Sequence, residues 1–302
     1  MALLHSVPDT AENRGEPVLY GSLDRLRGGN HPGSAEDDMH LLTTSSSFSF
    51  FLPSDMRTSV MRPEFAEFAG FDTRAVEASI EFGLLPDSGA VFVGTMKAGN
   101  IEKGLRSSPG GDALQTEKAD GVSYFSLGED GVTDIAAVSA IRRVGQPLRM
   151  ALAGNTLYWS RSRTVVDACV AARSGTSLAD DPGYLAVATA LDRAKVVNGI
   201  VVSPQAGEPW SVGGLGETFR GDASTLTVVL QYSDAALAAS AAPAFRAHVE
   251  HDASLLTKGP WGDLLTVTDV RAEGTTMVAT LSSVKPGIAT TVVFARDNLL
   301  QF

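Results

Sequence analysis

The chain has 302 residues, of which 44% are hydrophobic and 20% charged, a composition typical of folded globular proteins rather than disordered ones. Its formal net charge of −11 would repel a phosphate backbone, so we expect no nucleic-acid partner. No apolar run approaches the roughly 20 residues that a membrane-spanning helix needs. We divide the chain after Pro147 into an N-terminal half, 1–147, and a C-terminal half, 148–302, as two domains or as parts of one continuous domain.

The N-terminal half begins with short elements. Val18–Tyr20 predicts a strand, and Leu23 and Leu26 predict a helical turn after it. Residues 28–38, GGNHPGSAEDD, are a loop by composition. The sequence FDTRAVEASIEFG then predicts a helix that begins at an Asp72 N-cap and ends at Gly83.

Phenylalanine is concentrated in one window of this half. Seven of the thirteen Phe residues fall between Phe48 and Phe82, a window without Trp or Tyr. One interpretation is a helix that packs on a sheet through a Phe-rich core, since large apolar residues are usually buried. The other is an apolar groove for a lipid or for a hydrophobic segment of a partner. The candidate ligand-binding residues of that groove are Phe48, Phe50, Phe51, Phe65, Phe68 and Phe71.

The rest of the N-terminal half alternates strands and helices. Residues 90–96 predict a strand, Asn100 to Arg106 a helix, and 121–128 an extended segment. Residues 132–141 predict a further pair of strands.

The C-terminal half opens with a predicted hairpin over 148–160, in which Gly154-Asn155 supplies the turn. A helix from Thr164 follows, with Cys169 on its apolar stripe and Gly175 as its C′ residue. Ser177 and Asp180 have capping-box spacing and predict the start of a second helix. Its expected inner face carries Leu185, Ala188 and Leu191. A strand over 196–202 comes next.

The last hundred residues predict further strands and one long helix. Residues 204–224 are rich in Gly and Pro and predict a long loop or loose hairpin, including Gly213-Gly214-Leu215-Gly216. A strand over 225–232 follows, and then a helix that is capped at Ser233 or Asp234 and runs to about His251. A hairpin over 264–284 and a last strand over 288–295 complete the chain. The fold class that these elements favour is α+β, with mainly antiparallel sheet and helices on one face.

Motifs that would indicate a reaction are missing from the sequence. There is no GxGxxG, GxxxxGK[ST] or GxSxG pattern, so we predict no nucleotide cofactor and assign no catalytic residue. His248 and His251 share a helix face but lack a third metal ligand, so we predict no metal site there. Asp180-Asp181 is better explained as a helix N-terminus than as a calcium site. Catalytic carboxylates brought together by the fold stay open at this point.

The stretches GFDTRAVEASIEFG, AVFVGTM, LAGNTLYWSRS and VVDACVAARSGTSLADDPGY together resemble a loosely defined group of bacterial extracytoplasmic lipoproteins. The resemblance implies a non-enzymatic protein of the cell envelope that binds a lipid or an envelope protein. It also implies membrane attachment through a lipidated N-terminal cysteine, which this sequence does not contain. The alternatives are a cytoplasmic location, a hydrolase with dispersed catalytic residues, and a structural scaffold of the envelope.

Overall fold

The computed structural model describes residues 2–28, 52–57, 59–60, 62–220, 223–284 and 287–302. Over these ranges the chain has an α+β fold with antiparallel sheet, which confirms the class expected from the sequence. The strands described are β1 (Val18–Ser22), β2 (Val76–Phe82), β3 (Gly89–Gly94), β4 (Gln115–Ala119), β5 (Val122–Leu127), β6 (Leu148–Ala153), β7 (Thr156–Ser160), β8 (Asn198–Val202), β9 (Trp210–Arg220), β10 (Ala223–Tyr232), β11 (Leu265–Glu273) and β12 (Thr276–Ser283). The α-helices described are α1 (Ala11–Gly15), α2 (Leu23–Leu26), α3 (Ser54–Arg57), α4 (Glu64–Ala69), α5 (Ala98–Ser107), α6 (Arg163–Ala172), α7 (Pro182–Arg193), α8 (Ala235–His251) and α9 (Ile288–Phe294).

The larger of two compact units comprises residues 2–13 and 20–178. Its strands lie in the order β2-β3-β7-β6-β5-β4, each antiparallel to its neighbours. The predicted β6–β7 hairpin is confirmed, and Gly154 at its turn has a φ of +63°, which L-residues with a side chain rarely adopt. Helix α6 packs on this hairpin and buries Val166, Cys169 and Ala172.

The smaller unit comprises residues 14–19 and 179–302. Its strands lie in the order β11-β12-β10-β9-β8, again antiparallel. Helix α7 packs on β8, β9 and β10, and α8 packs on β10, β11 and β12. The Asp234 carboxylate accepts the Leu237 N–H at the start of α8, as the sequence predicts. The division of the chain into the halves 1–147 and 148–302, as two domains or as parts of one continuous domain, stays a prediction.

The helix predicted from Asp72 to Gly83 is wrong. Asp72 does act as an N-cap, but only for the single 3-10 turn Thr73–Ala75, after which the chain forms β2. Val76 and Ile80 are four residues apart, a spacing that fits one face of a helix as well as one face of a strand. Ile80 and Phe82 are buried on either side of Glu81, whose side chain is 14% exposed, as the strand period requires, and pairing with β3 decides the conformation.

Of the two forms predicted over residues 204–224, the long loop is wrong, because most of the segment is the long strand β9, which pairs antiparallel with β10. Its glycines at 213, 214 and 216 lie within the strand and do not mark a flexible loop. A Cβ built on Gly214 would lie 2.4 Å from Val187 Cγ1, and one built on Gly216 would lie 2.5 Å from Val196 Cγ1. Glycine therefore occupies these strand positions because α7 and the segment after it lie too close to β9 for a side chain.

The last predicted strand, 288–295, is the helix α9. Its β-branched composition favours a strand locally. A buried glutamate on β9 overrides that preference: Glu217 Oε1 accepts the N–H groups of Gly287 at 2.9 Å and Ala289 at 3.2 Å, in the first turn of the helix. The partner lies 70 residues away in sequence, so no local pattern could indicate it.

Helix α7 begins later than the Ser177–Asp180 spacing suggests. Its N-cap is Asp181, whose Oδ1 accepts the N–H groups of Gly183 at 2.8 Å and Tyr184 at 3.2 Å. Pro182 follows at the first helical position, which its fixed φ suits. The expected inner face is right for Ala188 and Leu191 but wrong for Leu185, which is exposed while Tyr184 is buried.

Two smaller expectations fail for local reasons. Helix α6 ends at Ala172, and the N–H of Gly175 bonds to the Ala171 carbonyl without the left-handed conformation of a C′ glycine. Residues 132–141 contain the 3-10 turn Ile135–Ala137 instead of a strand pair. The Arg142 side chain donates to the carbonyls of Gln146 and Gly145, which satisfies backbone groups that a ladder would otherwise pair.

Candidate functional site

The Phe-rich window is only partly described by the structure. Phe48, Phe50 and Phe51 lie outside the described residues. Phe65 and Phe71 are buried and meet edge to face, with ring centroids 5.9 Å apart and planes at 85°. Phe68, on the same helix as Phe65, is half-exposed. The structure therefore brings Phe65 and Phe71 together as a packed pair and leaves Phe68 partly open to solvent.

Two glycines let α4 approach α5 closely beside this pair. Gly70 ends α4 with a φ of +75°, and a Cβ built there would lie 2.2 Å from the Asn100 carbonyl oxygen. A Cβ on Gly104 of α5 would lie 2.7 Å from the Glu67 carbonyl oxygen. Each side chain would collide with backbone, so the crossing of the two helices requires glycine at both positions.

A groove of about 520 Å³ lies along this helix crossing. It is a shallow depression that is open to solvent rather than an enclosed cavity. Its lining consists of Ala66, Glu67, Gly70, Phe71, Asp72, Asn100, Lys103, Gly104 and Ser107. Of the three predicted Phe residues that the structure describes, Phe65, Phe68 and Phe71, it is Phe71 that lines the groove.

The lining of the groove is amphipathic. Phe71, Ala66 and the two glycines supply apolar surface, while Glu67, Asp72 and Lys103 supply charge of both signs. The Asp72 carboxylate is held in place by Arg74, whose Nη2 donates to Oδ2 at 2.6 Å. Such a surface can hold a molecule with an apolar segment and a polar head, because each part finds a matching wall.

The polar residues of the groove were not identified from the sequence. Asn100 and Lys103 lie on α5, which the sequence does predict. The helix that faces them, α4, lies about 35 residues earlier in the chain. Sequence alone offers no signal that Gly70 and Gly104 meet. A long-range contact between two glycines leaves no periodicity in either segment.

The histidine pair does not form a metal site. His248 is buried, with Nδ1 2.8 Å from Asp252 Oδ2 and Nε2 3.0 Å from the Asn298 carbonyl oxygen, whereas His251 is exposed. Nδ1 of His248 thus contacts the C-cap residue of its own helix, and Nε2 joins α8 to the C-terminal segment. Over the ranges that the structure describes, no cluster of three or more His, Cys, Asp or Glu residues is suited to a metal ion.

Two candidate nucleophiles are held in structural environments. Ser254 Oγ donates its proton in a hydrogen bond to Asp297 Oδ2 at 2.5 Å and does not donate it to the His248 ring. Cys169 is buried on α6, and burial raises the pKa of its thiol above the ordinary value. A buried thiol of raised pKa is a poor nucleophile.

Comparison with known proteins shows a distant likeness of fold. No protein-family model matches the chain, and no curated protein matches its sequence. Two crystal forms of TP0453, an outer-membrane-associated lipoprotein of Treponema pallidum, are similar in structure. Crystal form III is 12% identical, with 96% of each chain covered and a TM-score of 0.41; crystal form I is 10% identical, with 96% of this chain and 95% of that chain covered and a TM-score of 0.42. Likeness at this level carries no functional argument. Within the described ranges, no helix combines the length and apolarity needed to traverse a bilayer.

Proposed function

We propose that this chain is a non-catalytic binding protein of the bacterial cell envelope. Its ligand is a single-chain amphiphile that lies in the groove between α4 and α5. The observation that carries the proposal is the position of the groove, about 520 Å³ in volume, directly beside Phe71 of the Phe-rich window.

The shape of the groove supports an acyl chain as the apolar part of the ligand. The glycines at 70 and 104 let the two helix backbones meet at the crossing, and a methylene chain can lie beside that contact, against Ala66 and Phe71. Each buried methylene contributes about 0.8 kcal/mol of transfer free energy. Micromolar binding corresponds to about 8.2 kcal/mol, so on the order of ten or more buried methylenes, supported by contacts to the head group, are needed to reach it after the cost of ordering the chain.

The charges of the groove support a zwitterionic head group. Lys103 offers an ammonium group to a phosphate, and Glu67 offers a carboxylate to a quaternary amine. A purely anionic head would meet Glu67 and Asp72 with like charge. We therefore expect lysophosphatidylcholine to bind more tightly than a free fatty acid of equal chain length.

The test is calorimetric titration with lysophosphatidylcholine below its critical micelle concentration. Ala66 is exposed and lines the groove, so Ala66→Trp fills the groove without disturbing the core. Ala239 is an exposed alanine on α8, outside the groove, and Ala239→Trp is the matched control. We expect binding by the wild type and by Ala239→Trp, and a loss of at least about tenfold in Ala66→Trp. Equal binding by both variants would remove the groove as the site.

Placement at the envelope is the second part of the proposal and rests on the sequence resemblance to extracytoplasmic lipoproteins. It includes attachment through an N-terminal lipid anchor. Labelling of cells that express the natural gene with radioactive palmitate, followed by fractionation, tests both points. Unlabelled protein in the cytoplasmic fraction would refute this part and leave the groove unaffected.

A further inference from the structure

The smaller unit contains a second cleft, of about 410 Å³, where α7 begins above β8, β9 and β10. It is separate from the α4–α5 groove, which belongs entirely to the larger unit. The cleft is lined by Arg14, Asp181, Pro182, Gly183, Tyr184, Ser203, Ser211, Val212 and Gln231.

An ion pair forms the polar wall of this cleft. Arg14 Nη1 donates to Asp181 Oδ2 at 2.7 Å, and the guanidinium carbon lies 5.7 Å from the centroid of the Tyr184 ring. The Asp181 side chain is 23% exposed and that of Arg14 39% exposed, so both reach the cleft while one side of each is covered. The pair is neutral as a whole, and it presents N–H donors and carboxylate acceptors next to each other.

Hydrogen bonds fix the remaining polar groups. The buried Tyr184 donates its hydroxyl to the Arg14 carbonyl at 3.0 Å and lies 3.2 Å from Ser203 Oγ. Gln231 donates to Thr275 Oγ1 at 2.8 Å and accepts from Thr276 Oγ1 at 2.7 Å, which locks its amide plane. Because these side chains are held before a ligand arrives, binding would cost little side-chain entropy.

The polar wall of the cleft can still accept hydrogen bonds from a ligand. A carboxylate has about four lone-pair sites, and Asp181 uses three of them for the N–H groups of Gly183 and Tyr184 and for Arg14. Since Asp181 occupies the N-terminus of α7, the helix end itself offers no anion site. Ser211 Oγ, exposed at the rim, donates to the Gln231 carbonyl at 3.3 Å and can accept a further hydrogen bond.

We propose that this cleft binds a neutral saccharide. Vicinal hydroxyl groups are donors and acceptors at once, which matches an alternation of guanidinium, carboxylate and serine hydroxyl. Pro182 and Val212 supply apolar surface for the C–H face of a sugar ring. A ligand with a full charge gains little electrostatic binding free energy, because the attraction of one member of the ion pair is offset by repulsion from the other.

The experiment uses three pyranoses that differ in charge: glucose, glucuronate and glucosamine, titrated separately and followed by saturation-transfer NMR. Mannose, galactose, N-acetylglucosamine and trehalose extend the neutral set. We expect at least one neutral sugar to bind, and to bind more tightly than the charged pyranoses. Tighter binding of glucuronate or glucosamine, or no binding by any neutral sugar, would overturn the proposal.

Two variants locate the binding. Ser211→Trp blocks the rim, with Ser240→Trp on the exposed face of α8 as the matched control. Arg14→Met removes the guanidinium at similar side-chain length and should weaken binding by about tenfold, as loss of one charge-assisted hydrogen bond does. Retention of wild-type affinity in Arg14→Met and Ser211→Trp would place the sugar elsewhere and overturn the proposal. Ala66→Trp should bind the sugar like the wild type, which separates this result from the test of the amphiphile groove.

Discussion

Replacement of Gly214 by alanine introduces a methyl group under α7, where the structure leaves no room for it. A Cβ on Gly214 would lie 2.4 Å from Val187 Cγ1 and 3.0 Å from Leu191 Cδ1. Both distances are shorter than the 3.5–4.0 Å at which carbon atoms make favourable contact, so the helix or the strand must shift. We expect Gly214→Ala to lower the free energy of unfolding by about 2 kcal/mol, within the usual range for overpacking.

Val187 supplies the nearest colliding atom and therefore completes a double-mutant cycle. Val187→Ala alone removes two buried methyl groups and should cost about 2 kcal/mol. In the double variant, the new methyl of residue 214 enters the space that Val187 Cγ1 has left. We expect the double variant to lose about 1–2 kcal/mol less than the sum of the two single losses.

Urea unfolding followed by circular dichroism gives the four free energies of the cycle. Gly99→Ala is the control for the exchange of glycine for alanine, because Gly99 lies in α5 with nothing within 4 Å of a built Cβ. That control should raise the free energy of unfolding by about 0.5–1 kcal/mol, since alanine favours a helix. Wild-type stability in Gly214→Ala, or strict additivity in the cycle, would refute the packing of α7 on a glycine surface of β9.

Two further predictions concern the β6–β7 turn and the start of α7. Gly154→Val should lower the melting temperature, because a β-branched residue at this positive φ carries backbone strain of about 1–2 kcal/mol; a built Cβ meets nothing within 4 Å, so no collision adds to that cost. Gly154→Asn should lose less stability, because asparagine tolerates a positive φ. Equal melting temperatures for the two variants would contradict the turn. Partial burial tends to raise the pKa of Asp181, but hydrogen bonds from Arg14 and from the N–H groups of Tyr184 and Gly183 outweigh it and hold the pKa below its ordinary value. The resulting stability is present above the unfolded-state pKa of about 3.9 and is lost as the pH falls through the lower folded-state pKa. Urea unfolding between about pH 5 and pH 2 should therefore show a larger loss for the wild type than for Asp181→Asn, and an equal loss would contradict this role of Asp181.

Elements with strong local signals could be predicted from the sequence. The β6–β7 hairpin follows from Gly154-Asn155 between two alternating segments, and α8 follows from the Asp234 cap before a long alanine-rich run. In both cases local propensity and tertiary packing favour the same conformation. The α+β class could be predicted for the same reason, since it depends on several such elements together.

The errors arise where a distant part of the chain decides the local structure. The local sequence around Gly214 and Gly216 favours a loop. In the fold, Val187 and Val196 occupy the space where side chains at these two positions would lie, so glycine is required in a strand. The composition of the segment after Gly287 favours a strand. The segment is a helix in the fold, where Glu217 accepts the N–H groups of Gly287 and Ala289 at its start. The groove could be predicted only in part. Phe71 belongs to a cluster of Phe residues in the sequence, whereas the contact between Gly70 and Gly104 beside the groove leaves no sequence signal.

The most direct measurement for the central proposal is isotope-filtered NMR of the wild-type protein with lysophosphatidylcholine that carries a ¹³C-labelled acyl chain. The proposal predicts nuclear Overhauser contacts from acyl methylenes to the Phe71 ring and to the Ala66 methyl, with none to Phe82 in the core of the same unit. Contacts confined to other parts of the surface, or a complete absence of contacts at saturating lipid, would contradict it.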